Sequence, residues 1–324
     1  MFKCNRLILK GVRTVYCLRK VFGFVVGILF MSSLIAGCGG GGSGDSIAYL
    51  CFDESDTFGG TIIGGEFKKG AQSKGLNVVY YDAKGDSNLQ IDQMKEAIAN
   101  NSKAIVLLAA DGDSIISTVE KANEAGIPVI TINRDANGGD RIRVYSEEYE
   151  AGKLQAEYMV KNLPQGANVV YLEGTSNLGS AQQRWEGFQK ECLQKRPDIH
   201  LLDMQDGQWS KVEAMKIMTV WLSLYPKIDA VICGNDQMAL GAITALKKAN
   251  RLSGCQVTGV DAVDDALKAV AAGEMVQTIK QDAAAQAEGA VKILDSLNKG
   301  ETSQSDIVVP FVSITKDNIA QFMK

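Results

Sequence analysis

Ala104-Ile105-Val106-Leu107-Leu108 is an unbroken apolar run, followed by an amphipathic stretch from Ser114 to Ala125 and then by a second apolar run, Pro128 to Ile132. A strand with one face in water alternates apolar and polar residues, so an unbroken run fits a strand covered on both faces, with the intervening helix as one cover. The same alternation extends outward in both directions. Strands are predicted at Ile47 to Phe52, Leu76 to Tyr81, Val169 to Glu173, His200 to Met204, Ala230 to Gly234 and Gln256 to Val260. Helices are predicted at Phe58 to Lys74, Leu89 to Asn100, Ala181 to Lys195, Val212 to Leu224 and Met238 to Ala249. This βαβα order predicts an α/β protein with doubly wound parallel sheets. The strands are too many for one comfortable sheet, which divides the chain into two lobes near Ser146-Glu147, where the first four βα units end.

Ahead of the first strand the character changes. Lys3, Arg6, Lys10, Arg13, Arg19 and Lys20 precede an uncharged, mostly apolar run from Val21 to Gly37. A basic region, an apolar region and small residues before a cleavage point make an export signal. Ile35-Ala36-Gly37-Cys38 resembles a lipobox, the site of diacylglyceryl attachment in bacterial lipoproteins, although Ile stands where Leu is more usual. Residues 1–38 are thus read as a lipoprotein signal with Cys38 as the lipidated residue, and residues 39–45 as a glycine-rich tether. This places the rest of the protein outside the cytoplasm, anchored to the cell membrane. The competing reading is an uncleaved membrane anchor, since the apolar run is near the lower limit for spanning a bilayer.

Removing the six basic residues of the leader leaves 28 basic against 38 acidic residues, a balance near −10. An acidic chain suits neither nucleic acid nor an anionic lipid surface. Cys51, Cys192, Cys233 and Cys255 are widely spaced without a CxxC pair, so neither a zinc site nor a redox motif is supported. Cys51 and Cys233 lie in apolar runs and read as small buried hydrophobes, while pairing of Cys192 with Cys255 stays open.

In open α/β sheets ligands bind beyond the carboxyl ends of the strands. Those positions hold Asp56 and Phe58, then Asn133, Arg134 and Asp135, in the first half of the chain. The second half supplies Arg184, Trp209, Asn235, Asp236, Asp261 and Gln281. Carboxylates accept, guanidinium groups donate and amides do both, so a ring bearing several hydroxyls finds a partner for each. Aromatic faces suit the C–H faces of such a ring. Each residue also has a plainer reading. Asp56 and Asn235-Asp236 suit helix N-caps, Phe58 and Trp209 suit the core, and Arg184 alone suits the surface.

Gly234-Asn235-Asp236-Gln237-Met238-Ala239-Leu240-Gly241-Ala242, with Ala125 to Arg134 upstream and Gly259-Val260-Asp261 downstream, resembles the ribose and galactose/glucose binding protein family of ABC importers. The resemblance runs from about Ile47 to the end of the chain. It implies the type I periplasmic binding protein fold, two lobes joined by a three-stranded hinge with crossings near Ser146-Glu147, Gln281-Asp282 and Val309-Pro310. It assigns residues 46–146 and 282–309 to an N-terminal lobe, and 147–281 and 310–324 to a C-terminal lobe. Position by position it implies ligand contacts at Phe52, Asp56, Phe58, Asn133, Arg134, Arg184, Trp209, Asn235, Asp261 and Gln281. Leu178 and Ser180 depart from the His and Asp that galactose/glucose binders place there, which weakens a strict galactose or glucose assignment.

Enzymatic readings lack parts. His200 is the only histidine and lies at a strand start, away from the ends where the other candidates gather. No nucleotide-binding glycine register is present. Asp135 to Asp140 starts like a calcium loop but lacks its Gly and Glu, so no metal and no cofactor are expected. The function implied is capture of a monosaccharide or cyclic polyol by a monomeric lipoprotein that serves an ABC permease. The alternatives are a tethered sensing module for a chemoreceptor or sensor kinase, and a binder of a nucleoside or furanone signal.

Overall fold

The structure, a computed structural model, describes residues 45–301 and 305–323. The leader, Cys38 and the glycine run 39–44 lie outside the described residues. The chain begins with β1 (Ile47–Cys51), a π-helical turn (Thr57–Ile63) running into α1 (Gly64–Ser73), β2 (Val78–Asp82), α2 (Ser87–Ala99) and β3 (Ala104–Leu107). Next come α3 (Ile116–Glu124), β4 (Val129–Ile132), β5 (Ile142–Tyr145), α4 (Glu148–Asn162), β6 (Asn168–Glu173) and α5 (Gly179–Phe188). β7 (His200–Asp206), α6 (Lys211–Leu224), β8 (Ala230–Cys233), α7 (Asp236–Lys248), β9 (Gln256–Asp261), α8 (Asp264–Ala272) and β10 (Gln277–Lys280) follow. The chain ends with α9 (Ala283–Asn298), β11 (Ile307–Val308) and β12 (Val312–Thr315).

These strands form two six-stranded sheets, ordered β11-β5-β4-β3-β1-β2 and β12-β10-β9-β8-β6-β7. Every pairing described is parallel except that of β10 with β12. Both sheets are covered on both faces, which is why β3 and β8 are apolar throughout. In β3 and just beyond it, Ala104, Val106 and Leu108 join the core under α1 and α9, while Ile105 and Leu107 join the core under α2 and α3. The second sheet divides likewise: Val231 and Cys233 face Trp221 and Met238, and Ala230 and Ile232 face Phe188 and Met159. Each fully buried Val, Leu, Ile, Phe or Met side chain among these contributes roughly 1.5–3 kcal/mol.

α9 and β11 return to the first sheet and β12 to the second, so the chain passes between sheets three times: after Tyr145, after Lys280 and after Val308. Gln286 Nε2 donates to Ser146 Oγ at 3.0 Å, tying the first crossing to the helix that follows the second.

The structure departs from the sequence reading at several elements. The helix predicted from Phe58 to Lys74 begins as a π-turn, in which the Thr61 amide reaches back five residues to the Asp56 carbonyl at 2.8 Å. The fourth βα unit has no helix before its next strand. Residues 133–141 instead form a loop closed by the two-pronged pair of Arg141 with Asp135 (2.6 and 2.8 Å), and β5 follows directly. That strand carries Arg143, paired with Asp306, so no apolar run marks it. The four cysteines of the described residues are free, and Cys192 and Cys255 pack in cores on opposite faces of the second sheet.

Candidate ligand-binding cleft

The carboxyl ends of both sheets face a common cavity of about 360 Å³, lined by all ten of the residues singled out as ligand contacts. Phe52, Asp56, Phe58, Asn133 and Arg134 come from the first sheet's edge; Arg184, Trp209, Asn235, Asp261 and Gln281 come from the second's.

On the first side, Asp56 is a helix cap, as its sequence allowed, and it also faces the cavity. Its Oδ1 accepts from the Gly59 amide at 2.7 Å as the N-cap of the π-turn, and the residue lines the cavity. Turns of this kind gather at functional sites. The Arg134 guanidinium lies 4.0 Å from the centre of the Phe52 ring, and its Nη2 donates to the Ala110 carbonyl at 3.0 Å. Burial works against the Arg134 charge and lowers its pKa, with Asp56 and Asp111 opposing that shift.

On the second side, Arg184 is only 4% exposed. Nε donates to Glu148 Oε2 at 2.6 Å, Nη1 to the Gly234 carbonyl at 2.6 Å and Nη2 to Gln281 Oε1 at 3.4 Å. α4 and α5 come close enough for this because Gly152 has no side chain; a β-carbon there would overlap the Arg184 carbonyl. Burial opposes the Arg184 charge, but Glu148 and Asp261 outweigh it and hold the group protonated. The Trp209 ring lies 5.5 Å from the guanidinium and rests on the Gly174 backbone, where a β-carbon would overlap the indole. Asn235 caps α7, its Oδ1 accepting from the Met238 amide at 2.9 Å, and its Nδ2 donates to the Trp209 carbonyl at 3.3 Å.

Asp261 is 8% exposed, lines the cavity, and its carboxylate accepts no hydrogen bond from another described residue. Burial pushes its pKa well up; Arg184 pulls it down, and Asp236, Asp56 and Glu148 add to the rise. Asp236 is not part of the cavity lining. It is fully buried behind it, with Oδ1 accepting from Thr278 Oγ1 at 2.7 Å and Oδ2 from the Val263 amide at 3.0 Å. Burial pushes the Asp236 carboxyl up to about 7.

Three cavity residues have left-handed backbones: Asn133 (φ 61°), Trp209 (φ 56°, after Gln208 at 53°) and Asp261 (φ 121°). Strain of this kind costs of order 1–3 kcal/mol per residue and gathers where side chains must be aimed for a purpose. Sequence reasoning missed Glu148, Asn177 and Gln183, which also line the cavity. Only Glu148 left a signal, an acidic residue beside the division at Ser146-Glu147.

Convergent donors, acceptors and aromatic faces make this the candidate binding site. His200 lies at the start of β7, the opposite end of the sheet, so it supplies no proton transfer here. No cluster of three or more metal-ligating side chains occurs among the described residues.

Comparison with known proteins agrees with the fold. The chain is 33% identical over 274 residues to a Rhizobium meliloti protein whose name proposes that it binds rhizopine, covering 82% of this chain and 89% of that one. It is 30% identical over 250 residues to the ribose import binding protein of Escherichia coli, covering 77% and 83% of the two chains. A crystal structure of an ABC transporter solute binding protein from Bacillus halodurans with bound myo-inositol superposes with a TM-score of 0.81 at 29% identity, covering 87% of this chain and 99% of that one. The profile of the periplasmic binding protein domain matches residues 47–302, and the chain belongs to that family of binding proteins.

Proposed function

We propose that this protein captures a monosaccharide or cyclic polyol in the cleft between its lobes and delivers it to an ABC importer. The observation that carries the reading is the pairing of a donor, Arg184, with an acceptor left without a protein partner, Asp261, in a cavity sized for one small ring. Trp209 on one side and Phe52 and Phe58 on the other supply faces for the ring's C–H surfaces, and Asp56, Asn133, Arg134, Asn235 and Gln281 supply partners for its hydroxyls. The names of the relatives, which include ribose and myo-inositol binders, support the ligand class.

Capture works through the three crossings: contacts from both lobes favour the closed state only when ligand satisfies them. In this reading Cys38 carries the lipid that keeps the protein beside its permease, since a two-chain anchor retains it where one chain would not. Thermal unfolding of ligand-stripped protein against ribose, xylose, allose, arabinose, galactose, glucose and the inositols tests the ligand class. A true ligand at roughly 1,000 times its dissociation constant adds about 4 kcal/mol and raises the melting temperature. Silence across the panel from folded protein would refute it. Metabolic labelling with a radioactive fatty acid tests the lipid site, because a Cys38→Ala protein that still takes up label would remove Cys38 from that role.

A further inference from the structure

Glu148 is the first residue of α4, placed just beyond the first crossing, and is 9% exposed. Its two carboxylate oxygens are divided. Oε2 accepts from Arg184 Nε at 2.6 Å and Oε1 accepts from Gln281 Nε2 at 3.3 Å. Gln281 follows β10 on the second crossing, and Phe311 on the third places its ring 5.8 Å from the Arg184 guanidinium. All three crossings therefore meet at Arg184. Two buried carboxylates, Glu148 and Asp261, stand near this one cation, and Glu148 holds it by a direct bond while Asp261 does not.

We propose that Glu148 is a positioning residue of the cleft: by engaging Arg184 and Gln281 it keeps the guanidinium from closing onto Asp261, and so leaves a donor and an acceptor both open to ligand hydroxyls. The proposal rests on the reading of the cleft as a sugar or polyol site. It follows from competition, since a buried guanidinium without Glu148 would pair with the nearest remaining carboxylate rather than stay unmatched. The charged groups facing Asp261 are Arg184 on α5, Asp236 at the start of α7, Asp56 across the cleft and Glu148 on α4. Neutralising Glu148 removes one repulsion and releases the cation, and both changes favour ionised Asp261.

The test is Glu148→Gln in the full-length protein, read in two ways. Without ligand, the Asp261 carboxyl is titrated by carbon-13 NMR, its signal assigned by Asp261→Asn. With ligand, calorimetry measures affinity for myo-inositol and D-ribose. The expected results are an Asp261 titration displaced to lower pH and an affinity reduced at least tenfold for whichever probe the parent binds. Glu148→Asp, which keeps the charge but retracts it, shifts both readouts in the same direction by less, and serves if the Gln variant fails to fold. An Asp261 titration matching the parent's, or an unchanged affinity, overturns the proposal. A parent that binds neither probe counts against the ligand reading, while the ligand-free titration still decides the role of Glu148.

Discussion

The indole of Trp209 rests on the backbone at Gly174, so closely that a β-carbon at Gly174 would overlap its ring. One wall of the cleft is thus set by a residue that has no side chain. Gly174→Ala must push the indole outward, into space that the bound ring requires. The variant is expected to fold with a penalty of about 1–3 kcal/mol, as overpacked sites do. Its affinity should fall as far as that of Trp209→Ala. Trp185 packs on Tyr171 and Phe188 in the core instead, so Trp185→Ala should lower stability more than affinity. Calorimetry and urea unfolding on the three variants separate the wall from the core; the reverse ranking of the two tryptophans would show the wall misplaced.

Arg184 holds together charges that cannot stay buried without it. Arg184→Ala leaves Glu148 without its cation and Asp261 without the charge that moderates it. The loss expected is about 3–5 kcal/mol of stability, the usual consequence of removing one partner of a buried pair. Ligand affinity should fall by about 2–4 kcal/mol. Urea midpoints and calorimetry measure the two effects separately. Retained affinity would remove Arg184 from the site.

Asp236 makes stability depend on pH. Its folded pKa, near 7, lies above the ordinary carboxylate value, so between about pH 4 and 7 the folded protein holds more protons than the unfolded chain. Its contribution is fully present below the unfolded pKa and is lost as pH rises towards 7, by at most roughly 1.4 kcal/mol per unit. Asp261, raised in the same direction, adds to the slope. Asp236→Asn keeps an acceptor for the Val263 amide and removes one of the two titrating groups. Urea midpoints at pH 5 and pH 8 should differ less in the variant than in the parent, and an equal difference would contradict the assignment.

Asn133 separates strain from recognition. At φ 61° a glycine is at ease where other residues are not. Asn133→Gly should keep stability to within about 1 kcal/mol. It should still lose affinity, because the amide that lines the cavity is gone. Thermal unfolding and calorimetry of the Gly and Ala variants test this, with Ala expected to lose both properties. Full affinity in the Gly variant would mean that the amide does not touch ligand.

The fold was legible wherever burial alone decides residue type. The run 104–108 reads as a strand because both its faces are covered, and 234–242 carries a recognisable cap and helix start. β5, β10, β11 and β12 escaped because they lie at or next to sheet edges, where Arg143, Gln277, Lys280 and short length replace apolar runs. Nine of the ten cavity residues were found because they lie at or beyond the carboxyl ends of predicted strands, positions the chain order specifies, whereas Phe52, inside the first predicted strand, came only from the family resemblance. Glu148 was not found because its meaning lies in two partners 36 and 133 residues away, brought together only by α5 and by the second crossing. The π-turn at Thr57 was equally hidden, since the shift in bonding from four to five residues changes no residue type.

Asp56 joins the two readings that its sequence position left open, and a pair of variants divides them. Asn caps a helix as well as Asp does, so Asp56→Asn keeps the bond to the Gly59 amide while removing the charge. Asp56→Ala removes both. If Asp56 only starts the π-turn, the Ala variant loses about 1 kcal/mol of stability and the Asn variant matches the parent in stability and affinity alike. If its carboxylate also receives a ligand hydroxyl, the Asn variant keeps its stability but binds more weakly, because a neutral amide is a poorer acceptor than a carboxylate. The second pattern is the one expected, since the residue lines the cavity as well as capping the turn. Affinity that follows stability in both variants would leave Asp56 a cap and nothing more.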